Sequence, residues 1–262
     1  MLKHNMRVAL GLLVILPFAG LATATWAQTT PAECVAGVSP QDRLDAILAH
    51  MDRPESQTKN DEHRRSETQF VLPHIKSGDH VLDVGAGGGY ATMLLSAAVC
   101  DGTVDSQNPK AWVEGFKIGP QQQAMVAARP NIHLVTADFD SIPMPATPYD
   151  VIFIGTVYHD TNNVDGHDMA KQDKNLLSLL KPGGLLILTD HNTAAGVGDS
   201  ATNTLHRIEK AKVIADFTAA GFELAEDSDA LANPEDDHSK NVFDPSVRGK
   251  TDRMALVFKR PL

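Results

Sequence analysis

Cysteine is nearly absent: Cys34 and Cys100 are the only two in 262 residues. They lie too far apart in the chain to form the close pairs from which zinc ribbons and fingers are built. In an oxidising compartment the two thiols can pair; otherwise Cys100, at the end of an apolar helical stretch, is simply buried. Positive charge is short as well. Lys and Arg number 23 against 33 Asp and Glu, a formal charge of −10 at pH 7. A phosphate backbone needs a basic face, which nothing in this chain supplies, so the expected partner is a small molecule and not nucleic acid. Internal repeats and low-complexity runs are missing, and oligomeric state leaves no mark in the pattern.

One long apolar run stands at the start, from Val8 to Ala22, after Lys3 and Arg7 and before small residues ending at Ala24 and Ala27. It is short for a membrane span and no basic stop-transfer cluster follows, so residues 1–27 resemble a secretory signal peptide. No cysteine ends the run, which speaks against a lipoprotein. Removing residues 1–27 takes the formal charge from −10 to −12. The expectation is a periplasmic or secreted protein with no stable membrane span after cleavage.

What is present is an α/β pattern, with 42% hydrophobic residues, enough for one domain with a real core. Residues 28–39 are polar and small, and Ser39 is placed to cap a helix whose apolar positions Leu44, Ile47, Leu48 and Met51 recur at helical spacing. A charged segment, Arg53 to Arg65, leads to a second helix ending near Ile75. These two helices either cap a ligand cleft or merely cover a sheet edge. Strands follow at Val81, at Asn131 to Asp138, at Tyr149 to Ile154, after the Pro182-Gly183-Gly184 turn, and at Arg253 to Lys259, with helical stretches between them. Such alternation implies a parallel, doubly wound sheet.

The segment VLDVGAGGGY, Val81 to Tyr90, carries the most chemistry. A strand ends on Asp83, and Gly85, Gly87 and Gly89 then leave main chain without side-chain bulk where a helix begins. A dinucleotide fingerprint would need glycine at Tyr90; the spacing D-x-G-x-G-x-G fits fully. With LKPGG at Leu180 to Gly184 ahead of an apolar strand, this pattern resembles the class I S-adenosylmethionine-dependent methyltransferases over about residues 60–260. In VLDVGAGGGY, VYHD, LKPGG with TDHN, and LHRI followed by NPEDDHSKNVFDPSVRGKTDR, it resembles the predicted secreted methyltransferases of bacteria. The resemblance implies a Rossmann-like, mostly parallel seven-stranded sheet with its last strand antiparallel. It divides the chain into a signal at 1–27, a lead and cap helix at 28–59, and a methyltransferase domain at 60–262. S-adenosylmethionine as methyl donor follows, although that molecule is made in the cytosol and the expected compartment lies outside it.

Carried onto this sequence, the resemblance makes Asp83, Gly85, Gly87 and Gly89 the donor loop. It puts Asn108 where relatives hold an acid for the ribose hydroxyls; Asp105 would serve only if its strand ended early. Asp138 takes the adenine amino group, with Ala137 offering backbone and Phe139 a flat apolar neighbour. Beyond the ends of strands four and five, His159, Asp160, Asp190 and His191, with His206 from the next connection, converge on the side where doubly wound sheets bind ligands. His159 is read as the base and Asp160 as its orienting acid. Two further readings share these residues. Asp160, Asp190 and Asn192 resemble in outline a magnesium-binding set, and His159, His191, His206 or His238 would suit zinc or iron. That would make the chain a metal-dependent hydrolase or lyase; a binding protein that transfers nothing is the other rival. About residues 228–252 form a long polar loop, placed either to fold over the substrate mouth or to lie solvated.

Overall fold

The fold is that of a computed structural model. It describes residue 34, residues 39–50 and residues 53–262. The signal expected at 1–27, most of the polar lead and Met51 lie outside the described residues.

Along each central strand, alternate residues point to opposite faces, and the chain places apolar side chains on both. Val81, Val151, Ile187 and Val257 enter one core, while their neighbours Leu82, Ile152, Leu186 and Leu256 enter the other. Seven strands result: β1 (His80–Val84), β2 (Thr103–Asn108), β3 (Ile132–Thr136), β4 (Tyr149–Gly155), β5 (Leu180–His191), β6 (Glu223–Ser228) and β7 (Arg253–Lys259). Their order is β3-β2-β1-β4-β5-β7-β6. β7 runs antiparallel to both β5 and β6, and the other pairings are parallel. Chain order reverses between β1 and β4, which lie side by side with Val84 opposite Ile154. That reversal opens a crevice at the strands' carboxyl ends.

Two expected boundaries shift. β3 stops at Thr136, which leaves Ala137 and Asp138 in the loop beyond it. Leu180 already pairs with Tyr149, and Leu185 with Val151, so Lys181 to Gly184 bulge out of β5 instead of preceding it.

The helices cover both faces. On the first lie α1 (Pro40–His50), α3 (Asp61–Val71) with a 3₁₀ turn (Leu72–His74), and α4 (Tyr90–Ala98). Ser39 Oγ accepts from the Asp42 N–H at 3.1 Å, the cap read from the sequence. The charged stretch is not a plain connector, because α2 (Glu55–Thr58) and the start of α3 occupy it. Some of its charges are paired: Arg53 forks onto Asp61 at 2.8 and 2.7 Å, and Arg65 reaches Asp45 of α1. After β2 come α5 (Lys110–Gly115) and α6 (Gly119–Ala128); α7 (Tyr158–Thr161) and α8 (Met169–Leu179) lie between β4 and β5. α9 (Thr202–Leu205) and α10 (Lys210–Ala220) follow β5, and Gly221 ends α10 at φ 108°. Among the described residues no helix is long and apolar enough to cross a membrane. Cys34 and Cys100 are paired in a disulfide, Cα to Cα 5.7 Å, joining the segment before α1 to the end of α4.

The long connection from β6 to β7 has neither helix nor strand, yet it is not loose. Arg207, fully buried, forks onto Asp236 at 2.8 and 3.2 Å and donates to the Lys240 carbonyl at 2.9 Å. Asn192 Nδ2 donates to Asp252 at 2.9 Å. Breaking a buried pair of this kind typically costs about 3–5 kcal/mol, so the loop is fixed to the end of β5.

Candidate functional site

The glycine loop turns over the ends of β1 and β2. Asp83 is buried and accepts the Thr92 hydroxyl at 2.6 Å, pinning α4 to β1. Burial pushes its carboxyl up to about 7, with the Thr92 hydroxyl pulling the other way. Asp83 thus works beneath the loop. The loop amides are held by β2: Gly85 N–H donates to Gln107 Oε1 at 3.0 Å, and Gly87 N–H to Asn108 Oδ1 at 2.8 Å. The other end of the Gln107 amide donates to the Ala137 carbonyl at 2.7 Å, which occupies the backbone oxygen read as a ligand contact. β2 runs through to Asn108, and Asp105 lies mid-strand beneath the Tyr149 hydroxyl at 2.7 Å, so Asn108 is the strand-end residue.

The three glycines differ. A Cβ on Gly85 would meet Val157 at 2.9 Å, and one on Gly89 would overlap Met125 Sδ. Gly87, at φ 56°, would meet nothing within 4 Å, so it alone opens onto space. Beside it Asn108 is 1% exposed, and its Nδ2 has no hydrogen-bond partner among the described residues. A buried, unspent donor at the loop mouth is the kind of group that a bound hydroxyl would satisfy.

Past β3, Asp138 is exposed, while Phe139 is buried and meets Trp112 edge-on at 4.9 Å between centroids. Both line a cavity of about 160 Å³ with Pro109, Val164 and His167. His167 Nε2 is buried there without a partner among the described residues. The sequence reading missed His167, which sits in a polar turn with no motif around it.

α2 and α3 close the cleft from the side, whereas α1 packs into the core against α3 and α4. Gln57 Nε2 donates to the Gly88 carbonyl at 3.1 Å, and Arg64 stacks over the Tyr90 ring at 4.8 Å. A cavity of about 730 Å³ lies between Gln57, Arg64, the glycine loop, Tyr90 and Met125. Glu67, buried, accepts the Thr189 hydroxyl of β5 at 2.6 Å and the Arg64 guanidinium at 2.5 Å. Burial pushes its carboxyl up, but Arg64, Arg253 and Thr189 more than offset this and hold it below its usual range. Arg64 and Glu67 were not legible as site residues, since their stretch reads as a charged surface helix.

The histidine and carboxylate rim stands over β4 and β5. His159 is 2% exposed; its main-chain N–H donates to Asp190 Oδ2 at 2.9 Å, and its Nδ1 lies 2.6 Å from Asp190 Oδ1. Its Nε2 lies 3.2 Å from Asp160 Oδ1, which His206 Nδ1 approaches at 2.9 Å. Burial alone would lower the His159 pKa, but Asp190 and Asp160 raise it to about 10. Both ring nitrogens face carboxylates, an arrangement that favours the protonated ring. His191 is the opposite case. Burial, against the pull of Asp190, lowers its pKa to about 4, and its Nδ1 meets the Thr251 hydroxyl at 2.8 Å. The loop closes on this rim, with Thr251 on His191 and Phe243 edge-on to His206 at 4.9 Å.

The magnesium-type set is not assembled. Both oxygens of Asp190 serve His159, and the Asn192 amide is spent on Asp252 and the Lys210 N–H. His238 is turned to Asp252 at 3.0 Å. His159, Asp160 and His206, by contrast, bring one ligand atom each within 4.8 Å of one another.

Comparison with known proteins agrees with this geometry. The family described as "Methyltransferase domain" matches residues 57–227, well over half of the chain. A protein named probable methyltransferase ltbC, from Aspergillus luteorubrus, is 25% identical over 138 residues, 51% of this chain and 47% of its own length. The match therefore spans about half of that relative. The putative methyltransferase solved in complex with the Haloferax volcanii Trm112 methyltransferase activator superposes with a TM-score of 0.57 at 18% identity, over 84% of this chain and 98% of that one. A SAM-dependent methyltransferase from Aquifex aeolicus gives 0.54 at 18% identity, over 85% and 99%. At such identities the structures speak for the fold alone, and the domain match for the family. The chain belongs to the methyltransferase domain family, with the class I S-adenosylmethionine-dependent methyltransferase fold.

Proposed function

We propose that this protein transfers a methyl group from S-adenosylmethionine to a small-molecule acceptor held at the histidine rim, outside the cytoplasm. The observation that carries the reading is the glycine loop tied to Asn108, whose second amide atom is buried and unspent beside the open face of Gly87. Asn108 and Gly87 suit the ribose and the bare main chain, while Asp138 and the unpartnered His167 Nε2 suit a nucleobase. S-adenosylmethionine, when bound, supplies an electrophilic methyl carbon.

The chain's own residues divide the remaining work. His191 is kept neutral by burial and oriented by Thr251, so it can accept the proton that an acceptor hydroxyl, amine or thiol gives up. His159, fixed between Asp190 and Asp160, sets the shape and charge of the rim without shuttling that proton. An exported location is supported by the apolar start of the chain and the Cys34 to Cys100 disulfide.

The test is transfer of labelled methyl from S-adenosylmethionine into small molecules of a periplasmic extract, with S-adenosylhomocysteine affinity measured alongside. His191→Ala should lower transfer by about 10²–10⁴-fold and leave that affinity within a factor of about two. Unchanged transfer would remove His191 from the base role. Binding of the homocysteine product with no transfer into any fraction would favour the non-catalytic binding protein.

A further inference from the structure

We infer that His159, Asp160 and His206 form a binding site for a divalent transition metal of the zinc type, supported from behind by Asp190. The inference rests on the rim's geometry and not on methyl transfer.

The donors come from two separate segments, α7 and the turn after α9, yet their ligand atoms lie within 4.8 Å of one another. Asp160 Oδ1 stands 3.2 Å from His159 Nε2 and 2.9 Å from His206 Nδ1. A tetrahedral ion with bonds of about 2.0–2.1 Å holds its ligands roughly 3.3 Å apart, so small side-chain adjustments would seat one among them. The ion would replace the hydrogen shared between His159 Nε2 and Asp160.

The surroundings favour this use. A metal-bound histidine usually donates its other ring N–H to a carboxylate, which fixes the ring and makes it a better ligand. Asp190 stands in that position: its Oδ1 lies 2.6 Å from His159 Nδ1, its Oδ2 accepts the His159 main-chain N–H, and the His191 main-chain N–H donates to Oδ1 at 2.7 Å. His159 Nε2 is thereby left as the nitrogen that faces Asp160. On the other side His206 adopts φ 54° and ψ 49°, left-handed backbone that a non-glycine residue seldom takes, and its ring rests against Phe243. Two imidazoles and one carboxylate suit zinc or its first-row neighbours better than calcium or magnesium, which prefer all-oxygen sets. Three protein ligands leave a tetrahedral position for water or for an anionic oxygen or sulfur of a small molecule.

The full chain, stripped with chelator, would be equilibrated with zinc and separately with cobalt, and bound metal quantified after gel filtration. Wild type should retain roughly one ion per chain and give the intense visible spectrum of tetrahedral cobalt. His206→Ala should lose the ion and the spectrum. Asp190→Asn should keep the stoichiometry but bind about 10–100-fold more weakly. His238→Ala, whose ring is turned to Asp252, should match wild type. Circular dichroism of each variant checks the fold, and the wild-type cobalt spectrum decides the matter even if His206→Ala does not fold. Wild type that takes up neither metal, or that keeps the same ion and spectrum after His206→Ala, would overturn the site.

Discussion

Asp83 shows how a motif residue can be legible in place while its bonding partner is not. The resemblance made it part of the donor loop; the fold buries it under Thr92, where burial raises its carboxyl to about 7 from an unfolded value near 3.9. A raised folded pKa means that the proton binds the native state more tightly. The associated stability is present below about pH 4 and is lost as pH climbs through 7, at about 1.4 kcal/mol per pKa unit. Asp83→Asn should therefore gain on wild type in denaturant midpoint as pH rises from 4 to 8, and a pH-independent difference would contradict the buried, proton-holding role. At this scale, position was legible and partnership was not. Asn108 falls at the end of its strand and Asp138 lies just past β3 in the loop, whereas the raised pKa of His159 depends on the carboxylates that fold beside it and the lowered one of His191 on its burial. His167, Arg64 and Glu67 carried no local signal, because their significance comes from packing between distant segments.

Elements were more legible than residues, since periodicity survives without knowledge of neighbours. β7 begins and ends where its apolar run does. The charged stretch at 53–65 read as a lead into the second helix; in the fold it holds α2 and the start of α3, with Arg53 paired to Asp61 and Arg65 to Asp45 of α1. The turn into α4 permits a sharp test. Alanine at Gly89 meets both a left-handed backbone at φ 83° and the Met125 side chain, so Gly89→Ala should cost roughly 2–5 kcal/mol in chemical denaturation. Gly87→Ala meets only the backbone strain and should cost about 1–2 kcal/mol. Equal losses would mean that the loop packs differently from this account. The loop from β6 to β7 folds back on the rim, as one of its two readings had it, because Arg207 supplies a buried partner for Asp236 that the acidic sequence around it gave no reason to expect.

For the whole molecule, the link between Cys34 and Cys100 closes a loop with a sequence separation of 66 and ties the segment before α1 to the end of α4. Constraining a chain of this length in the unfolded state is typically worth about 2–4 kcal/mol. Cys34→Ser with Cys100→Ser should lower stability by that amount, and reductant should do the same to wild type but leave the double variant unmoved. Insensitivity of wild type to reductant would argue against a formed disulfide and weaken the proposed export.

The central claim is that a nucleoside thioether lies between Gly87, Asn108 and the cavity beside Asp138, and titration calorimetry with S-adenosylhomocysteine tests it most directly. Wild type should bind with a single-site isotherm, and Asn108→Ala, which frees the loop amide and removes the donor, should bind about 5–10-fold more weakly. No heat of binding up to millimolar ligand, or equal affinity in the two proteins, would contradict the account.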